Sequence, residues 1–195
     1  MAEPRVRLLY PKGTETRLIE AGMRGVKRFE RFGIKVEHAI GDKKGMEGVT
    51  ASRFLERMVS AKGAQTIGRT DFSNWIEIMF GKRTIIGMAL TNAPLIYNNE
   101  GVIGISEIRR GAVVSLSRIG RIPEQDIREA ALEQAVKHEL GHVLGSEGHC
   151  TTAGCIMQEN KHFVDFIADM VRARLDFCRR CTEEITLTAN RPMIN

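Results

Sequence analysis

A chain of 195 residues with 43% hydrophobic and 27% charged side chains is long and apolar enough for one core, which excludes a disordered tail or a fibrous repeat. No apolar run approaches the roughly 20 residues a bilayer-spanning helix needs, and the opening MAEPRVRLLYPKG lacks a secretory pattern, so a cytoplasmic protein is expected. The net charge of +5 is dispersed among acids and the one basic cluster, 172–180, reads as a solvated helix face, so membrane and nucleic acid are disfavoured as partners and a monomer is the default.

Residues 6–10 (VRLLY), closed by Pro11-Lys12-Gly13, suit a first buried strand. Thr14 or Thr16 is placed to cap a helix whose apolar positions Leu18, Ile19, Met23, Val26 and Phe29 recur at helical spacing and which ends at Gly33. IKVEHAI then sets Ile34, Val36, His38 and Ile40 on one side of a strand, and strand-helix-strand order predicts a parallel pair joined by a right-handed crossover. A polar turn at 41–48 and a helix at 51–61 follow, the latter with Phe54, Leu55, Met58 and Val59 on one face. Segments 84–90, 101–108 and 112–116 have strand character, and Arg109-Arg110-Gly111 predicts a hairpin that adds an antiparallel strand at the sheet border. Pro123 precedes a long amphipathic helix through Ile127, Ala130, Ala131, Ala135 and Val136. Beyond Gly145 come a loop bounded by cysteines, a helix over 162–177, the sequence CRRC and a polar tail.

The chemistry concentrates in HELGHVLGSEGHC, residues 138–150. His138 and His142, four apart on a helix, stand on one face and can bind one zinc. Glu139 beside them can reach a zinc-bound water, so that zinc acidifies and orients water while glutamate takes its proton. Five residues alone are weak evidence, but Gly145 stops the helix three residues after His142 and a third histidine, His149, follows the turn.

The four cysteines, at 150, 155, 178 and 181, lie in the last quarter of the chain, leaving most of it with nothing to staple by disulfides. Cys178-x2-Cys181 has zinc-knuckle spacing and Cys150-x4-Cys155 fits the other half of a closed tetrahedral thiolate site. Such a site has no open coordination position, so its zinc would fold a small lobe rather than perform chemistry. His149 and Cys150 are neighbours, and extended neighbours point their side chains in opposite directions.

The pattern HELGHVLG…HC…C.M…CRRC resembles the archaemetzincins, a branch of the metzincin clan of zinc metallopeptidases, closely over 136–181 and more loosely upstream. The resemblance implies an α/β fold: a metzincin-like upper lobe with a twisted mixed sheet and an active-site helix, plus a small zinc-stabilised lower lobe. The chain then forms one catalytic domain over 1–195, with the upper lobe at 1–145 and the lower lobe at 146–195. It further implies a catalytic zinc on His138, His142 and His149, Glu139 as general base, and a structural zinc on Cys150, Cys155, Cys178 and Cys181, two zinc ions per chain. Met157 would supply the hydrophobic floor under the catalytic ion, and the substrate would be a peptide or protein, lying as an extended strand along 101–108.

One departure stands out. The family spacing is HExxHxxGxxH, whereas here Ser146, Glu147 and Gly148 separate Gly145 from His149. Gly148 can take unusual dihedrals, so a small bulge is expected to deliver His149. Three other readings compete: a zinc hydrolase whose third ligand is Asp165 of Asp165-x3-Asp169, a zinc-dependent endoribonuclease that grips RNA through phosphates, and a non-catalytic zinc-binding interaction module.

Overall fold

The computed structural model describes residues 4–11, 13–37, 40–41, 85–97, 100–146, 148–158 and 175–191. The first strand, β1 (Arg5–Tyr10), pairs in parallel with β2 (Lys35–Val36) and β3 (Ile40–Gly41) along one edge. Its other edge pairs in parallel with β4 (Ile85–Thr91). Two short strands, β5 (Leu95–Tyr97) and β6 (Glu100–Val102), form a separate antiparallel ribbon. The main sheet then continues through β7 (Gly104–Glu107) and β8 (Gly111–Ser115) in the order β2-β1-β4-β8-β7. Only β7 on this path runs antiparallel, against β8, so the hairpin at Arg109-Arg110-Gly111 and the antiparallel border are both present.

The middle strands are covered on both faces. Ile86, Met88, Ala89 and Leu90 of β4 and Ala112, Val113 and Val114 of β8 are all buried, the continuous apolar run expected of parallel strands between two layers. The expected single strand at 101–108 is instead two, divided at Ile103. Ile103 leaves the ribbon partner of β6 and gives its carbonyl to Ser115 N at 2.7 Å, which hands the chain over to the main sheet.

Helix α1 (Thr16–Lys27) begins at Glu15 without a side-chain cap. Thr14 does not cap it: its hydroxyl donates to Pro11 O at 2.8 Å and closes the preceding turn. The helix also ends before Gly33; Phe29 leads into a 3-10 turn at Glu30–Phe32, and Gly33 closes that turn with φ of 78°. The apolar spacing outlasts the α-helix because Phe29 and Phe32 are both buried, at ring distances of 5.6 and 6.1 Å from Phe177.

After the short α2 (Leu116–Ile119) comes the long helix α3 (Gln125–Val143). Arg24 of α1 fastens the two long helices together by bonds of 3.0 Å each to Glu129 and Glu133. The expected amphipathic character of α3 is not found in its second half. From Ala131 onward Gln134, Lys137 and Glu139 are buried together with Leu132, Ala135, Val136 and Leu140, because sheet, α1 and the cysteine segment all pack on it.

Described residues after Gly145 share this core. Cys150, Cys155, Ile156, Met157, Leu175 and Phe177 belong to the same buried cluster as β1, β4 and α3. The expected helix at 162–177 falls mostly outside the described residues, and its last part is not helical: Asp176 makes a bridge with Cys155, and its carbonyl accepts from Ile156 N at 3.0 Å. The expected polar tail is helical among the described residues, α4 (Arg179–Ala189), held by Cys181, Ile185 and Ala189, one buried side chain per turn. The turn at 42–48 and the helix at 51–61 lie outside the described residues.

Candidate metal centre

Two groups of metal-ligating side chains stand out among the described residues: His138, His142 and His149, and Cys150, Cys155, Cys178 and Cys181. Within each group the ligand atoms all lie within 4.8 Å of one another. Sequence neighbours His149 and Cys150 fall in different groups, as their opposed side-chain directions require.

The end of α3 builds the first group. Gly145 takes φ of 106°, its N–H bonds to His142 O at 3.1 Å, and Ser146 N reaches back to Gly141 O at 3.1 Å, the two bonds of a Schellman turn. This turn does more than stop the helix, because it brings the carbonyl of Ser146 to 2.9 Å from His142 Nδ1. The carbonyl of Ile156 lies 2.8 Å from His138 Nδ1. A carbonyl oxygen only accepts, so each Nδ1 carries the proton and each Nε2 presents a lone pair.

Those two Nε2 atoms face each other at 3.1 Å. Neither can donate to the other, and a cation between them is what the arrangement suits. Two nitrogens bound to one tetrahedral zinc would stand about 3.3 Å apart at ordinary Zn–N lengths. His149 completes the group, its ring centroid 5.4 Å from that of His138 and 5.1 Å from that of His142. Gly148 adopts φ of 82°, so the additional residue in the turn is taken up by a left-handed glycine directly before the histidine.

Protonation would destroy this geometry, and the surroundings oppose it. Burial, then the neighbouring His142, push the His138 imidazole down to about 3, against the opposite pull of the Ile156 carbonyl. Burial likewise lowers His142. Both rings are thus kept as neutral bases, the form that binds metal. Glu139 is buried too, and burial pushes its carboxyl up to about 7 although a hydrogen bond from Ser106 works the other way. A carboxyl tuned that way can take up and release a proton near neutrality.

Met157 is fully buried under the same turn. Its sulfur fills the space beside Gly141, where an added Cβ would lie 2.4 Å from it. The residue between Cys155 and Met157 is Ile156, so the segment that packs below α3 also supplies the carbonyl that orients His138. That segment is tied to α3 by Lys137, whose ammonium donates to Leu175 O and lies 3.6 Å from Asp176. Asp176 in turn receives a two-bond fork from Arg31 at 2.7 and 2.9 Å.

In the cysteine group the sulfurs of Cys150 and Cys178 are 3.7 Å apart, as are those of Cys155 and Cys181. Tetrahedral zinc with ordinary Zn–S bonds would set sulfurs about 3.8 Å apart. No disulfide joins them. Backbone N–H groups of Thr152 and Cys178 donate to the sulfurs of Cys150 and Cys155, at 3.4 Å each. Cys178 stands directly before α4, at its N-cap position, and the Cys181 N–H holds the Cys178 thiol down to about 6, a value at which the metal-binding thiolate is readily formed.

Several contributors carry no sequence signal. The carbonyls of Ser146 and Ile156 are backbone groups, visible only once the turns are built. Ser106 had at most a faint mark, as a hydroxyl beside Glu107 in a strand otherwise of glycine and isoleucine. Asp165 and Asp169, the rival ligands, lie outside the described residues.

The chain matches the model of Peptidase family M54 over residues 69–187. It is 36% identical over 74 residues to an archaemetzincin from Methanopyrus kandleri and 32% identical over 79 residues to one from Saccharolobus islandicus. Each alignment covers 38% of this chain, and they span 39% and 40% of those two relatives. In fold the chain is similar to the crystal structure of the Methanopyrus kandleri archaemetzincin, with a TM-score of 0.70 and 21% identity over 97% of both chains. It is also similar to a zinc-dependent peptidase from Methanocorpusculum labreanum, with a TM-score of 0.61 and 16% identity over 92% of this chain and 99% of that one. The mixed α/β architecture and the archaemetzincin resemblance of the sequence are thereby borne out. Because the family model takes in well over half of the chain, including both histidines of the HELGH helix and all four cysteines, the chain belongs to Peptidase family M54.

Proposed function

We propose that the chain hydrolyses peptide bonds with one zinc held by His138, His142 and His149, while a second zinc on Cys150, Cys155, Cys178 and Cys181 has a purely structural role. The observation that carries this reading is the pair of unprotonated Nε2 atoms facing each other at 3.1 Å beside a buried carboxyl. Zinc in such a site supplies Lewis acidity, lowering the pKa of a water molecule and polarising a substrate carbonyl. The chain's own residues do the rest. Glu139 would serve as the base that takes a proton from the attacking water, and its carboxyl, raised by burial, as the acid that returns it to the departing amine. The Ser146 and Ile156 carbonyls hold the His142 and His138 rings in their tautomers throughout. Met157 keeps the floor of the site dry and rigid.

The sheet ends at β7 among the described residues, and an extended peptide adding to this strand would lie along the side where Glu139 is buried. We read 1–195 as one catalytic domain, 1–145 and 146–195 being its upper and lower lobes about the zinc-binding turn. Four cysteines kept as metal ligands favour the reducing cytoplasm as its compartment. Among the described residues no helix is long and apolar enough to cross a membrane.

The test is hydrolysis of a mixed fluorogenic peptide library and of RNA by the wild type and by Glu139→Gln. Peptide cleavage that disappears in the variant supports the reading. RNA cleavage, or peptide cleavage indifferent to Glu139, overturns it.

A further inference from the structure

The side chain of Glu139 is lodged against the last strand of the sheet. Strand β7 runs antiparallel to β8 with Gly104 opposite Val114 and Ser106 opposite Ala112. Residues two apart on a strand share a face, so Gly104 and Ser106 turn to the same side. At Gly104 that side is filled by the glutamate: a Cβ built there would lie 2.4 Å from Oε1 and 2.5 Å from both Cδ and Cγ of Glu139. The φ of Gly104 is not in the left-handed range, so backbone conformation does not demand glycine; the missing side chain provides room. Ser106, two residues further along and turned to the same side, stands close enough to the same carboxylate for its hydroxyl to favour the charged form.

We infer that Gly104 and Ser106 form a seat on the edge strand that positions Glu139 as the general base, one residue by leaving space and the other by holding the carboxylate. The inference rests on the peptidase reading of Glu139 given above. A glutamate has three rotatable side-chain bonds, and an acid-base group contributes only when it stands where the proton is. Helix α3 fixes the Cα of Glu139, but β7 fixes its carboxylate. Both are positioning residues, since they touch neither metal nor water and act through Glu139. The seat also lies on the strand to which an extended peptide would add, so substrate and base would be located by the same four residues.

The test compares Gly104→Ala, Ser106→Ala and Ser106→Thr with Glu139→Gln, reading zinc content, hydrolysis of the fluorogenic library and the crystal structure of each variant. Gly104→Ala is expected to displace the carboxylate by at least about 1 Å and to lower kcat by about 100-fold. Ser106→Ala should lower kcat about tenfold, the lower end for a hydrogen bond to a charged group, and Ser106→Thr should restore it. KM and zinc content should stay at the wild-type level in all three. The seat is overturned by an unmoved carboxylate in Gly104→Ala, by wild-type kcat in both Gly104→Ala and Ser106→Ala, by zinc loss in Ser106→Ala, or by failure of Ser106→Thr to restore what Ser106→Ala lost. Hydrolysis that survives Glu139→Gln would defeat the base assignment itself; its loss there, with unchanged rates at Gly104 and Ser106, would defeat the seat alone.

Discussion

The histidine cluster and the cysteine cluster meet at the peptide bond between His149 and Cys150, yet they are built in opposite ways. Three of the four cysteines are buried, with 8% exposure at most, and backbone N–H groups surround the sulfurs. In the histidine cluster His149 is exposed and His138 and His142 are half-buried. Four enclosed donors saturate a tetrahedral ion, whereas three donors with one open flank leave a position for water or substrate. The orienting contacts run one way as well. His138 is held by Ile156, next to Cys155, and His149 is attached to Cys150, while the N–H groups that approach the sulfurs come from Thr152 and Cys178 of the cysteine segments themselves. The proposed function therefore assigns stability to the closed cluster and chemistry to the open one, with the second dependent on the first.

Breaking the clusters separately tests that dependence. Cys181→Ser should have the largest effect: loss of the thiolate zinc, destabilisation on the order of the whole stability of a domain of this size, and loss of the histidine zinc as His138 and His149 fall out of line. Thermal unfolding and elemental analysis measure both. In contrast, His142→Ala should remove one zinc while the thermal midpoint moves by only a few degrees. A Cys181→Ser variant that kept full hydrolytic activity would break the dependence.

Next in size is Glu139→Gln, expected to lower peptide hydrolysis by about 10²- to 10⁴-fold with both zinc ions retained, since the residue touches neither cluster as a ligand. Met157→Ala should follow, costing about 2–5 kcal/mol for a cavity beneath Gly141, and Met157→Leu, nearly the same volume, less than about 1.5 kcal/mol. Equal destabilisation by the two would argue that the sulfur itself, rather than packing, matters there.

The smallest effect belongs to a pair remote from both clusters. Burial alone would raise the Glu37 carboxyl, but the hydrogen bond and charge of Arg7, then those of Arg5, outweigh it and hold it below the usual range. A carboxyl depressed in the folded state stabilises at pH values above its ordinary 4.5, and that contribution fades as the pH falls through the lower folded value. Glu37→Gln should therefore cost less than about 1 kcal/mol at pH 7, and the gap between variant and wild type should close on acidification. A gap that widened in acid would contradict the assignment.

What the sequence revealed and what it hid follow from the range of the forces involved. The HELGH helix, its glycine stop and the paired cysteines are local patterns, and so were readable, as were the strands around 6–10 and 84–90 and the hairpin at 109–111. The break at Ile103 was not, because it is decided by which strand donates an N–H to its carbonyl. Nor was α4, where exposed Thr and Glu residues outnumber the single apolar residue per turn that docks it. The amphipathic reading of α3 failed because Lys137 and Glu139 are buried polar groups with partners from Leu175 and Ser106, distant in sequence. At the site itself, side-chain ligands could be named in advance, whereas the carbonyls that set the histidine tautomers could not, since every residue has one.

The most direct measurement is elemental zinc analysis of the purified wild-type chain beside His142→Ala. Two ions per chain in the wild type and one in the variant are predicted, the survivor bound by thiolates. A single ion in the wild type that persists unchanged in His142→Ala would contradict the account, because the facing imidazoles would then hold nothing.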